Sequence, residues 1–140
     1  LPIIGWVLFA LKSIAIDRKS GKRAVDQIEE QGRNRIAQGL WVSIFPEGTR
    51  TAPGKRGRYG IGGAWLAAKT GRPILPIAHN AGECWRRNAF LKYPGMVTVS
   101  IGPLIHTRDR EPSAVIADVE NWIESEMLKL PPANSWRRPA

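Results

Sequence analysis

Within four residues, Glu47, Gly48, Thr49 and Arg50 bring together a carboxylate, a flexible backbone position, a hydroxyl and a guanidinium, directly after Phe45 and Pro46. The carboxylate can accept a hydrogen bond from a substrate hydroxyl, and the N–H groups around Gly48 and Thr49 add donors. A guanidinium makes paired, charge-assisted bonds to phosphate oxygens and stays charged at any working pH. Arg18, which follows the apolar run Ser13–Ile16, supplies a second guanidinium of the same kind. Together these are parts for gripping a hydroxylated phosphate ester. A plainer reading is equally open from the residues alone: a Glu and an Arg at a strand end often pair with each other or cap a neighbouring helix.

The elements that must position these groups are legible in outline. Leu40–Ile44 is an apolar run that stops at Pro46 and Gly48, which predicts a strand delivering its last polar residues to the rim of a sheet, where open α/β folds bind ligands. Ser13–Ile16 is expected to do the same for Asp17 and Arg18. Between them Val25, Ile28, Gly32 and Ile36 recur at helical spacing, with Ser20 as N-cap and Gly39 as stop. Strand, helix and strand in that order predict a βαβ unit with parallel strands, so both arginines would stand at one sheet end. Thr51–Arg58, rich in Pro, Gly and positive charge, reads as a mobile loop. A helix is expected over Ile61–Thr70, closed by Gly71, and an edge or bulged strand over Ile74–Ala78 because of Pro76. A further strand is expected over Met96–Ile101. Pro112 opens a last helix whose stripe of Val115, Val119, Trp122, Ile123 and Met127 runs to Leu130. The expected fold class is α/β, a mixed and largely parallel sheet flanked by helices, with one domain over 1–130 and a loose tail over 131–140.

Composition narrows the partners. Lys and Arg total 21 against 12 acidic residues, a net charge of +9, which favours phosphate esters, acidic lipid surfaces or nucleic acid. A single cysteine, Cys84, excludes an internal disulfide and a multi-cysteine metal site. Leu1–Leu11 is too short to cross a bilayer, which takes roughly 20 residues, and it lacks the marks of a signal peptide. Opening on Leu1-Pro2, the chain reads as starting inside a larger protein. A basic binding module is the rival from another class, built on Arg18-Lys19-Lys22-Arg23, Lys55-Arg56-Arg58 and Arg86-Arg87. These clusters are scattered among loops and form no nucleic-acid-binding motif, so nucleic acid is not an expected partner.

The hexapeptide Phe45-Pro46-Glu47-Gly48-Thr49-Arg50 resembles a signature of the glycerolipid acyltransferases, in particular those acting on 1-acylglycerol-3-phosphate. Ile14–Arg18 looks like that family's second motif, whose Arg contacts the acceptor phosphate. Ile74-Leu75-Pro76-Ile77 looks like the fourth, beside the acyl site, and Leu1–Trp6 resembles the segment after the first. The resemblance implies a glycerol-3-phosphate acyltransferase-like fold truncated at its N-terminus. It further implies acyl transfer from acyl-CoA or acyl carrier protein to lysophosphatidate, giving phosphatidate, with no cofactor. The implied substrate-binding residues are Arg18, Phe45, Pro46, Glu47, Gly48, Thr49, Arg50 and Pro76. A membrane surface is the implied further partner and its cytoplasmic face the implied location, peripheral or anchored by an upstream segment. A different lysolipid acceptor stays open, as does the oligomeric state.

Three departures stand out. Tyr59-Gly60 replaces the usual aromatic–Lys pair, and Trp65 stands where a smaller or polar residue is common. The family's first motif, His followed five residues later by Asp, is not found. In the family that His takes the proton from the acceptor hydroxyl while Asp orients its ring. His79 is followed at that spacing by Cys84, which cannot orient an imidazole, and His106 by Glu111, downstream of every other motif and in the wrong order. Residues 1–140 alone are therefore expected to be catalytically inert, with Cys84 a plain thiol.

Overall fold

A computed structural model describes residues 6, 10–14 and 22–134. The chain divides into two compact units, Leu1–Ile44 and Phe45–Ala140, where one domain was expected over 1–130.

The first unit is organised by α1, Lys22–Ala37. Glu29 and Arg33, one turn apart, form an ion pair of 2.8 Å on its exposed side. Gly39 donates to Ile36 O and Leu40 N–H to Arg35 O, ending the helix at the expected glycine. The expected apolar stripe is the sheltered one: Gly32 is buried, and Val25, Ile28 and Ile36 are partly buried. Arg35 Nε donates to Lys12 O at 2.9 Å and Lys12 Nζ to Gln38 Oε1 at 2.7 Å, tying the preceding segment to the helix end. The Ser20 cap and Arg18 lie outside the described residues, as does half of the first expected strand.

Leu40–Ile44 is not a strand. The segment is irregular and mostly exposed, with Trp41 at 86%. An apolar run becomes a strand only when a neighbour satisfies its N–H and C=O groups, and no described strand pairs with it. The expected parallel βαβ unit is thus not formed among the described residues, whose one sheet is two-stranded and antiparallel.

The second unit holds α2 (Gly62–Thr70), β1 (Ile77–His79), α3 (Ala81–Cys84), β2 (Val99–Ile101) and α4 (Pro112–Met127). Pro112 starts α4 in the first turn, where its missing N–H costs nothing. Val115 and Val119 are the buried part of its stripe, and α4 packs on α2 and β1. Helix α2 stops at Gly71, whose N–H bonds Ala68 O, while Arg72 N–H bonds Ala67 O. Buried Thr107 clamps this end, its hydroxyl lying 3.0 Å from Ala67 O and 2.8 Å from Arg72 O. Strand β1 pairs with β2 in the register Ile77↔Ile101, and a bridge joins Ile74 to Ile105. The two pairings are out of step by one residue: residues 102–104 stand opposite 75 and 76, so the extra residue lies in the partner segment, while Ile74–Ala78 is an edge of the two-stranded sheet.

Asn80, buried just after β1, explains why the second strand is shorter than Met96–Ile101. Its Oδ1 accepts from Thr98 N–H at 2.8 Å and its Nδ2 donates to Met96 O at 3.3 Å, beside one backbone bond from Asn80 N–H to Thr98 O at 3.3 Å. The same Nδ2 donates to Pro131 O at 2.8 Å, and Glu83 Oε2 accepts from Ala133 N–H at 2.8 Å. Ala133 is only 5% exposed. The chain after α4, expected to be loose from 131, is therefore packed through Ala133.

Candidate functional site

The hexapeptide forms a turn. Gly48 N–H donates to Phe45 O at 3.0 Å, and Pro46 presets the second position of that turn. Gly48 has φ +63°, a left-handed conformation that a side chain would oppose. The turn sorts its residues. Pro46 and Glu47 are half-buried, whereas Phe45, Gly48, Thr49 and Arg50 are exposed, Phe45 at 74%.

Glu47 is braced by the loop that follows. Thr51 donates its hydroxyl to Glu47 Oε2. Gly57 packs so closely on the same carboxylate that a Cβ there would overlap it. Gly60 N–H donates to Pro46 O at 2.7 Å, so residues 51–60 fold back over the turn. The loop is also moored to α4. Arg56 contacts Glu120 Oε1 through Nη2 at 2.7 Å and Nε at 2.9 Å, a bond that raises the pKa of its guanidinium. Tyr59 donates to Glu124 Oε1 at 3.0 Å, and burial, reinforced by this bond, pushes its pKa well above the ordinary phenol value. The segment expected to be mobile, Thr51–Arg58, is held at Thr51, Arg56 and Gly57, and Tyr59 and Gly60 fix the chain just beyond it. Its glycines allow close approach where composition suggested freedom.

Arg50 lies 5.5 Å over the ring of Trp85, which Lys92 also covers at 4.6 Å. Among the described residues neither Glu47 nor Arg50 enters an ion pair. Of the plainer reading, the Glu–Arg pair is not formed: Glu47 is committed to the loop, an architectural role, and exposed Arg50 rests on an aromatic face. Arg18, the other expected half of the phosphate clamp, lies outside the described residues.

Pro76 is buried under α4. Gly102 donates to Pro76 O at 2.9 Å, and a Cβ on Gly102 would come within 2.9 Å of Pro76 Cγ and 2.5 Å of Trp122. Its surroundings here are packing contacts. His79 is exposed, its Nδ1 accepting from Ala81 N–H at 3.3 Å. His106 and Glu111 are both exposed, and no hydrogen bond joins them: the carbonyl of His106 takes Arg110, and that of Glu111 begins α4. Among the described residues neither histidine has a carboxylate hydrogen-bonded to its ring. Cys84 is a free thiol facing Gly95. Among the described residues no cluster could hold a metal ion, and no helix is long and apolar enough to cross a membrane. Sequence reasoning missed Thr51, Gly57 and Trp85. The one signal available was a glycine inside the basic run Lys55-Arg56-Gly57-Arg58.

Comparison with known proteins bears directly on the turn. The chain is 43% identical over 135 residues to a 1-acyl-sn-glycerol-3-phosphate acyltransferase of Pseudomonas aeruginosa, covering 94% of this chain and 52% of that protein. An enzyme of the same name from Cocos nucifera is 30% identical over 120 residues, covering 85% of this chain and 39% of its own length. Another from Borreliella burgdorferi is 29% identical over 106 residues, 75% of this chain and 42% of that protein. The chain thus spans about half the length of the first of these relatives and less of the others. No solved structure matches it. The profile of the Acyltransferase family matches residues 1–80, a stretch that contains the hexapeptide turn, its bracing loop and α2, and this chain belongs to that family.

Proposed function

We propose that residues 1–140 are the acceptor-binding part of a 1-acyl-sn-glycerol-3-phosphate acyltransferase. The observation that carries the reading is the division of labour in the turn: Glu47 is locked inward, while Thr49 and Arg50 face outward with no carboxylate neutralising the guanidinium. An exposed Arg held over Trp85, beside the Thr49 hydroxyl, suits the phosphate of a lysophosphatidate. The names of the relatives point to the same acceptor.

In the reaction, the free glycerol hydroxyl attacks the carbonyl carbon of an acyl thioester carried by coenzyme A or acyl carrier protein. The new C–O bond forms, the C–S bond breaks, the thiol leaves and the hydroxyl proton passes to a base. In a protein the length of the relatives, that base is a histidine with its own carboxylate, outside residues 1–140, since neither His79 nor His106 is so oriented. Phe45, Pro46, Gly48, Thr49 and Arg50 hold the acceptor, Glu47 fixes their turn, and Arg18 shares the phosphate. Pro76 supports the acyl side from within the packed layer. Leu40–Ile44, apolar and unpaired here, becomes a strand of a larger, parallel sheet in that longer protein. The enzyme then works at the cytoplasmic face of a membrane, peripheral or anchored by an upstream segment, a setting that suits a lipid substrate and product.

Arg50→Lys tests this in the full-length enzyme, because it keeps the charge and removes the planar fork. It lowers kcat/KM for lysophosphatidate by roughly tenfold to more than a hundredfold, the value of one charge-assisted bond. The KM for the acyl thioester stays unchanged. Unaltered lysophosphatidate kinetics would remove Arg50 from the site.

A further inference from the structure

The most exposed apolar surface of the second unit is the loop between α3 and β2. Phe90 is 97% exposed and Leu91 63%, with Trp85 and Tyr93 each about half exposed. Large apolar side chains grouped at one loop tip mark an interaction site. This tip is also basic: Arg86, Arg87 and Lys92 stand among the aromatics, and no acidic residue lies between 85 and 97.

The exposure belongs to a held loop. Tyr93 N–H donates to Cys84 O and Met96 N–H to Ala133 O, both at 2.8 Å. Trp85 Nε1 donates to Ala89 O at 2.9 Å. Gly95 is seated against Cys84 and Ala133, where a Cβ would lie 2.8 Å from Sγ. With its base fixed in this way, the tip presents Phe90 and Leu91 outward.

We propose that this loop is a membrane-interface anchor that docks the second unit on an anionic lipid surface. The proposal deepens the acceptor-binding reading, since it says how the hexapeptide turn meets a lipid acceptor. Three features select a bilayer over other partners. Leu91 and Phe90 suit an acyl boundary, and an aliphatic side chain gives a nucleic-acid base nothing to stack on. The aromatic faces already carry cations: Arg50 and Lys92 over Trp85, and Arg86 over Tyr93 at 5.8 Å. Aromatic rings with basic heads at the same level are the makeup of an interfacial segment, where the rings sit at the headgroups and the cations meet lipid phosphates. Finally, Arg50 touches Trp85, so the docking loop and the phosphate-binding residue are in contact.

The test is co-sedimentation of the chain with vesicles of phosphatidylcholine alone or with 30% phosphatidylglycerol, at about 0.1 M salt. Binding is expected to the anionic vesicles and to be much weaker to the neutral ones. Arg86→Gln with Arg87→Gln should lower the partition coefficient by roughly twenty- to thirtyfold, since one basic residue near an anionic surface is worth about fivefold. Arg33→Gln with Arg108→Gln, an equal loss of charge on other elements, should lower it far less. Phe90→Ser, at a position with almost no contacts to lose, should lower it about tenfold. The proposal is overturned if both charge pairs lower binding equally, if Phe90→Ser binds like wild type, or if a single-stranded oligonucleotide is bound more tightly than the vesicles. Titration of the same variants with a soluble short-chain lysophosphatidate keeps the two readings apart. Phe90→Ser should bind it normally, and a chain that docks on vesicles yet ignores this ligand refutes the acceptor-binding reading alone.

Discussion

The hexapeptide turn and the Asn80 hub belong to the same unit and are built in opposite ways. Around Asn80 every polar atom of a buried amide is spent on the fold, joining residues 96–98 and 131 to the end of β1. In the turn, one polar side chain is spent on the fold, Glu47, while Thr49 and Arg50 face solvent. Buried, satisfied polar groups fix a unique arrangement, because leaving any of them unpaired is costly. Accessible, unneutralised groups do little for stability and are what a ligand can use. The contrast says where stability and recognition should separate under mutation.

The largest stability loss is expected at the hub. Asn80→Ala strands Thr98 N–H and the carbonyls of Met96 and Pro131, and should cost about 3 kcal/mol, lowering Tm by roughly 10 °C, as read by thermal unfolding. If the loss is under 1 kcal/mol, the hub is not what holds the C-terminal segment.

Gly57→Ala sharpens the comparison from the other side. A methyl at this position must displace the Glu47 carboxylate or the Thr51 hydroxyl, so the turn is expected to shift. Acceptor affinity should fall about tenfold while stability changes by roughly 1 kcal/mol or less, overpacking being relieved in a half-exposed loop. Equal damage to folding and binding would erase the distinction between the two regions.

The mooring of the loop should give the smallest effect. Tyr59→Phe removes the bond to Glu124 and should cost about 1 kcal/mol or less. Its pH signature is more specific. The folded state holds the Tyr59 proton more tightly than the unfolded chain, whose phenol titrates near 10. Above about pH 10 the unfolded state therefore binds fewer protons than the native one, and stability falls as pH rises further. Urea melts from pH 9 to 11 should show that decline in wild type and a shallower one in Tyr59→Phe.

How much of this was legible in the sequence follows from the range of the interactions. Helix ends at Gly39 and Gly71 and the start at Pro112 are set by local backbone chemistry, and they stand where the residues put them. The family, too, was written in a contiguous hexapeptide, and the profile match agrees with it. Leu40–Ile44 does not pair as a strand among the described residues because a strand is a property of two segments, and apolar character names only one. Asn80 escaped because its partners lie 16 to 51 residues away. The basic loop was misread because Pro and Gly signal both freedom and close packing, and only Glu47, Glu120 and Glu124, brought near by the fold, decide which.

The central claim, that the outward face of the turn grips an acceptor phosphate through Arg50, is tested most directly by titrating residues 1–140 with a short-chain lysophosphatidate below its micellar concentration. Because Arg50 lies on Trp85, binding should change the indole fluorescence, with Trp85→Phe removing the signal and calorimetry still recording the heat. The account predicts saturable binding that Arg50→Ala weakens by at least tenfold, with the fold intact by circular dichroism. Equal affinity in wild type and a folded Arg50→Ala variant would contradict it.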